Sequence, residues 1–226
     1  MTPPSMTPCV KICGLSTPDA LDAALAAGAD MVGFVFFPKS PRHVGFGAAR
    51  ALGARARGRA RIVALTVDAD DALLAEVCAT LQPDVLQMHG AERPERVAEV
   101  GDRFGRLTMK AVGVAAPEDL AAAAAYDGPA DLLLIDAKPP KGAVLPGGNG
   151  LPFDWRLMRD FAPRRPWLLS GGLTPDNVVE AIRTTGAPGV DVSSGVESAP
   201  GVKDSSKIAA FVAAARTGRA VPAGAK

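Results

Sequence analysis

Eight short apolar runs recur along this chain, and between most of them lies a stretch that reads as a helix. The runs cover 10–13, 31–36, 62–67, 85–89, 108–112, 132–136, 167–170 and 190–192. They are mostly apolar, without sustained polar alternation, so each suits a strand covered on both faces. The helical stretches carry their own start signals. Thr17-Pro18-Asp19 offers an N-cap, a first-turn proline and an acidic first turn, and Gly28 closes that helix. Thr174-Pro175-Asp176 repeats the start before the seventh helix, and Pro117-Glu118-Asp119 is similar. Further helices are predicted after Gly47 and over 70–81, 94–102 and 204–216. Strands and helices alternating eight times in 226 residues predict one α/β domain, a (β/α)8 TIM barrel over 9–216. Residues 1–8 are then an N-terminal extension and 217–226 a small, polar tail expected to be flexible. The main rival, an open doubly wound sheet, usually has a glycine-rich phosphate loop after its first strand, and Cys13-Gly14-Leu15-Ser16 lacks that pattern.

Composition narrows the function classes. A net charge of +1 calls for neither nucleic acid nor an anionic membrane as partner. Three cysteines, an odd number without a spaced framework, fit a reducing cytoplasm better than a disulfide scaffold. No apolar run approaches the roughly 20 residues that a membrane span needs. The first eight residues have no basic or apolar segment of a signal peptide, and Met6 is an alternative start. The two histidines and three cysteines lack metal-ligand spacing, so no metal site is expected.

In a parallel barrel all strand ends open on one face. Side chains alternate along a strand, which puts Lys11 and Cys13 on one side of the first strand and Leu132, Leu134 and Asp136 on one side of the sixth. A thiol and a carboxylate would then share a pocket, one able to take a proton and the other to give one. The plainer readings are a small buried hydrophobe for Cys13 and a cap or turn residue for Asp136. Burial favours the neutral acid form of a carboxyl, which suits a proton donor. Ser170-Gly171-Gly172 and Ser193-Ser194-Gly195 follow strands seven and eight, where barrels of this type often bind phosphate through backbone N–H groups. Tight turns also use such glycine pairs. Arg42, on a proline-stiffened loop, is either a carboxylate clamp or, by composition alone, a solvated surface side chain. His89 either bonds substrate or satisfies the barrel rim. The long Pro-, Gly- and Lys-rich loop over 137–152 is either a lid or an idle insertion.

Taken together these residues resemble the phosphoribosylanthranilate isomerase family of tryptophan biosynthesis. The resemblance lies in Lys11-Ile12-Cys13-Gly14, Gly28-Ala29-Asp30, Gly33-Phe34-Val35-Phe36, Ser40-Pro41-Arg42 and Gln87-Met88-His89-Gly90. It continues through Lys110-Ala111-Val112, the run ending at Asp136, Phe153-Asp154-Trp155, Leu169 to Leu173, Asp191 to Glu197, Pro200-Gly201 and Lys203-Asp204. Asn149 and Met88 depart from the family's common residues. The resemblance implies an Amadori rearrangement of N-(5-phosphoribosyl)anthranilate to 1-(2-carboxyphenylamino)-1-deoxyribulose 5-phosphate, the third step from chorismate to tryptophan. It implies Cys13 as general base, Asp136 as general acid and Arg42 on the anthranilate carboxylate. Substrate contacts are further implied at His89, Gly171, Gly172, Asp191, Ser193, Ser194 and Gly195.

No cofactor is implied, because the protonated imine is itself the electron sink. An ordinary thiol is mostly protonated at neutral pH, so the pocket must favour the thiolate, and Lys11 lies just below Cys13 on the same face. The expected partner is a small phosphosugar, handled by a cytoplasmic monomer or homodimer without nucleic acid or membrane. Three rivals are weaker. A ribulose-phosphate epimerase would want metal ligands at strand ends, and an indole-glycerol-phosphate synthase lysine and glutamate at several. A non-catalytic phosphate-binding barrel has no need of Cys13 and Asp136 together.

Overall fold

The computed structural model describes residues 7–138, 147 and 153–218. Eight parallel strands close into a barrel in chain order: β1 Cys9–Cys13, β2 Met31–Phe36, β3 Arg61–Thr66, β4 Val85–Met88, β5 Leu107–Val114, β6 Leu132–Ala137, β7 Trp167–Leu169 and β8 Gly189–Val192. β1 closes the ring by pairing with β2, Lys11 beside Met31, and with β8, Lys11 beside Asp191. All eight expected strands are present, most with ends moved by a residue or two.

Among the described residues seven α-helices pack around the ring: α1 Pro18–Ala26, α2 Phe46–Ala56, α3 Asp71–Leu81, α4 Pro94–Phe104, α5 Pro117–Ala124, α6 Val178–Thr185 and α7 Ser205–Thr217. The start signal acts as read at α1, where Thr17 Oγ1 accepts a first-turn N–H; at α3 Asp70 Oδ1 does the same, a cap not read from the sequence. Two expectations need correction. No α-helix follows β6 among the described residues; Trp155–Asp160 forms a single 3-10 segment, opened by Asp154 and followed closely by Pro163. The helix after β7 starts at Val178, not at Thr174-Pro175. Asn177 accepts from Thr174 N (2.8 Å) and donates to Gly172 O (2.9 Å), which holds 172–177 as a turn. A small antiparallel hairpin, β9 Glu197–Ala199 and β10 Val202–Lys203, follows β8 and had no sequence signal.

Both ends of the barrel are built from recognisable devices. At the end where the strands begin, Asp30, Asp84 and Asp131 stand just before β2, β4 and β6. Their carboxylates accept from Val10 N, Ile62 N and Thr108 N of the preceding strands at 2.7, 2.7 and 2.9 Å. Above them the interior is filled by Met31, Val63, Val85, Met109, Leu132, Leu134 and Leu168. The uppermost interior layer, with Cys13, Val35 and Leu65, borders a cleft that places the candidate site at the strands' C-terminal ends. Among the described residues no helix is long and apolar enough to cross a membrane.

Candidate active site

A cleft of about 790 Å³, counting its open mouth, lies at that end of the barrel. Cys13, Arg42, His89, Asp136, Gly171, Gly172, Asp191, Ser193, Ser194 and Gly195 all border it, so every site residue expected from the sequence comes to one place.

Cys13 ends β1, buried, with its side chain toward the cleft. Its neighbour Gly14 has φ +74°, and a Cβ there would stand 2.6 Å from Arg42 Cδ and 3.1 Å from Ser193 Oγ. A bare turn after β1 thus lets Arg42 and the loop after β8 approach the thiol. Burial pushes the Cys13 thiol up from its ordinary range; Lys11 and Lys203 pull it down, while Asp191 pushes with burial, and the balance is upward. Lys11, with no exposed surface, donates to Asp191 Oδ1 at 2.7 Å. Burial would pull its ammonium down, but Asp191 and then Cys13 outweigh burial and keep it charged.

Asp136 lies near the end of β6, across the cleft. Oδ1 accepts from Ala137 N at 2.8 Å, and Oδ2 is 3.3 Å from His89 Nε2. His89 follows β4 and extends its ladder by donating its N–H to Thr66 O; its Nδ1 faces Gln87 Nε2 at 3.4 Å. His89 therefore has partners at the rim and also faces the cleft. Of the loop over 137–152, only 137, 138 and 147 lie inside the described residues. Gly147 sits over this pair, where an added Cβ would come 2.6 Å from Asp136 Oδ2 and 2.7 Å from His89.

The two expected phosphate loops face the same cleft. Gly171 and Gly172 have φ of +87° and +65°, and a Cβ on Gly171 would meet Ala137 N at 2.5 Å. On Gly195 a Cβ would lie 1.8 Å from Leu173 O, so no other residue fits there without moving the chain. Asp191 borders the cleft, but its oxygens are engaged by Lys11 and, at 3.3 Å, by Ser170 Oγ.

Arg42 corrects the compositional reading of a solvated side chain: it is only 6% exposed. Its Nε and Nη2 donate to Glu197 Oε1 and Oε2 at 2.7 and 2.9 Å. Glu197 also accepts from Lys203 Nζ at 2.7 Å, and Lys203 in turn donates to Ser193 O and Oγ. The hairpin thus ties the Arg42 loop to the loop after β8. Sequence reasoning placed neither Glu197 nor Lys203 in the site. The available signal was their position in segments shared with the resembling family. His43, by contrast, is exposed and outside the cleft. Among the described residues no three His, Cys, Asp or Glu side chains are grouped to hold a metal.

Residues 10–214 match the model of the N-(5'-phosphoribosyl)anthranilate (PRA) isomerase family. The chain belongs to this family. A relative named N-(5'-phosphoribosyl)anthranilate isomerase, from Rhodopseudomonas palustris strain HaA2, is 61% identical over 211 residues, 93% of this chain and 97% of that protein. The crystal structure of phosphoribosyl anthranilate isomerase from Thermotoga maritima superposes with a TM-score of 0.84 at 35% identity, covering 93% of this chain and 99% of that one. A further crystal structure of the family holds reduced 1-(o-carboxyphenylamino)-1-deoxyribulose 5-phosphate; it matches with a TM-score of 0.80 at 34% identity over 93% and 99% of the two chains.

Proposed function

We propose that Cys13 and Asp136 are the general base and general acid of the family's reaction in this chain. The chain isomerises N-(5-phosphoribosyl)anthranilate to 1-(2-carboxyphenylamino)-1-deoxyribulose 5-phosphate, within tryptophan biosynthesis. One observation carries the assignment: β1 and β6 bring a thiol and a carboxyl to the same cleft as two glycine- and serine-rich loops.

In this reading Asp136 protonates the furanose ring oxygen and the ring opens to a protonated imine. The Cys13 thiolate then takes the proton from ribose C2. The C–H electron pair moves toward the imine nitrogen and gives an enolamine, which tautomerises to the ketone. The phosphate rests against Gly171, Gly172, Ser193, Ser194 and Gly195, where glycine admits the backbone closely. Arg42 faces the anthranilate carboxylate, and His89 and Asp191 border the sugar. No cofactor takes part. The protein works in the cytoplasm as a monomer or homodimer, without nucleic acid or membrane.

The experiment is a fluorescence assay on purified protein, following loss of phosphoribosylanthranilate. Protein-dependent loss with formation of the ketose is expected. Loss at the uncatalysed rate would refute the reading.

A further inference from the structure

The interior of this barrel is apolar on nearly every strand, and Lys11 breaks the pattern. At comparable depth β2 to β7 use Met31, Val63, Val85, Met109, Leu132 and Leu168. A buried ion pair is commonly no more stabilising than well-packed apolar residues of the same size, so packing alone gives no reason for Lys11 and Asp191. Their placement gives one. Lys11 lies one interior position below Cys13 on β1. Gly33 of β2 stands beside Cys13 in register, and a Cβ built there would meet Cys13 Sγ at 3.0 Å and Lys11 Nζ at 3.3 Å. The sulfur and the ammonium therefore converge on one point beside a bare Cα. Asp191, beside Lys11 in register on β8, holds the ammonium at 2.7 Å.

We propose that Lys11 is a positioning residue for the isomerisation: its ammonium, pinned by Asp191, is the counter-charge on which the Cys13 thiolate forms. This rests on the reading of Cys13 as base. In the step itself the C2–H bond breaks, the proton ends on sulfur, and Lys11 keeps its own proton throughout. The charged groups around the thiol come from several elements. They are Lys11 on β1, Asp191 on β8, Lys203 on β10 with its partner Glu197, and Arg42 after β2; Asp136 and His89 stand across the cleft. β7 contributes the uncharged Ser170 and β3 the apolar Leu65. Among the cations, Lys11 exerts the strongest pull toward thiolate.

Two variants test this: Lys11→Met, and Lys11→Met with Asp191→Asn, which removes the pair without leaving a buried lone charge. Two readouts are taken on each. The first is the ultraviolet absorbance of the Cys13 thiolate against pH, in a Cys9→Ser, Cys78→Ser background without substrate. The second is kcat and KM for phosphoribosylanthranilate against pH. In Lys11→Met the thiol should titrate at least about one pH unit higher, the lower end of what a nearby opposite charge does; the double variant, which also loses the upward push of Asp191, should shift the same way by less. At neutral pH kcat of Lys11→Met should fall about tenfold, as that shift requires, and that of the double variant by less, with KM little changed and the rate recovering at higher pH. A double variant with wild-type titration and wild-type kcat overturns the proposal, because Lys11 would then be only half of a structural pair. An unshifted thiol titration overturns it and leaves the base assignment standing. Wild-type turnover by Cys13→Ser overturns both.

Discussion

Replacing Glu197 by glutamine tests whether Arg42 is held ready for its ligand. Glu197 takes three hydrogen bonds from cations, two from Arg42 at 2.7 and 2.9 Å and one from Lys203 at 2.7 Å, and a fourth from Gly201 N at 3.3 Å. Glutamine keeps the shape and one carbonyl acceptor but not the charge, and leaves two buried cations beside each other. Breaking a buried pair from one side costs about 3–5 kcal/mol, and the retained acceptor puts this variant near the lower end. In a domain of this size ~1 kcal/mol moves Tm by roughly 2–4 °C, so a fall of about 6–12 °C is expected. The loosened guanidinium should also raise KM for phosphoribosylanthranilate about tenfold, the worth of one charge-assisted bond, with a smaller change in kcat. Calorimetry and steady-state kinetics on one preparation give both numbers. The variant also has a pH signature. Burial pushes the Glu197 carboxyl up, but Arg42 and Lys203 outweigh burial and hold it below the usual carboxylate range. A carboxyl whose folded value lies below its unfolded value of about 4.3 contributes stability that is complete above that pH and lost as pH falls through the folded value. Glutamine should remove that part of the acid destabilisation. Unchanged Tm and unchanged KM together would refute the clamp.

Arg42→Ala should lower kcat/KM by roughly tenfold to a few hundredfold, the worth of one charge-assisted pair, and Arg42→Lys should restore only part of it. Affinity for a ribose phosphate lacking the benzoate should barely change in either; equal loss for both ligands would reassign Arg42 to the phosphate or the fold. Inorganic phosphate should inhibit competitively, and in a soaked crystal it should rest on the backbone of Gly172 and Ser194; an anion seated elsewhere with these loops empty would contradict the phosphate assignment. Because burial raises the Cys13 thiol, kcat/KM should climb with pH through and above the ordinary thiol value of about 8.5. A plateau reached in mildly acidic solution would show that the base is another group.

The barrel was legible because its strands are buried on both faces, and eight short, largely apolar runs say so directly. Cys13 and Asp136 were legible for a related reason: an ionisable residue closing such a run points into a barrel mouth. The helix starts were less uniform. Thr17 caps α1 as written, but the similar Thr174-Pro175 stretch is held as a turn because Asn177 bonds Gly172 and Thr174. Hairpin β9–β10 escaped notice because strands of three and two residues carry no periodicity. With it went Glu197, whose partner Arg42 lies 155 residues away in sequence. That pairing is also what buries Arg42, which composition alone places in solvent. The full burial of Lys11 depends likewise on Asp191, 180 residues distant, which no local pattern announces.

The central claim is the division of labour between Cys13 and Asp136, and their single substitutions test it most directly. The measurement is kcat for phosphoribosylanthranilate in Cys13→Ser and Asp136→Asn, on preparations whose thermal unfolding shows them folded. Each should lose at least about a hundredfold in kcat, a typical general acid–base contribution, while KM moves much less. Turnover close to wild type in either variant would contradict the account and remove that residue from its role.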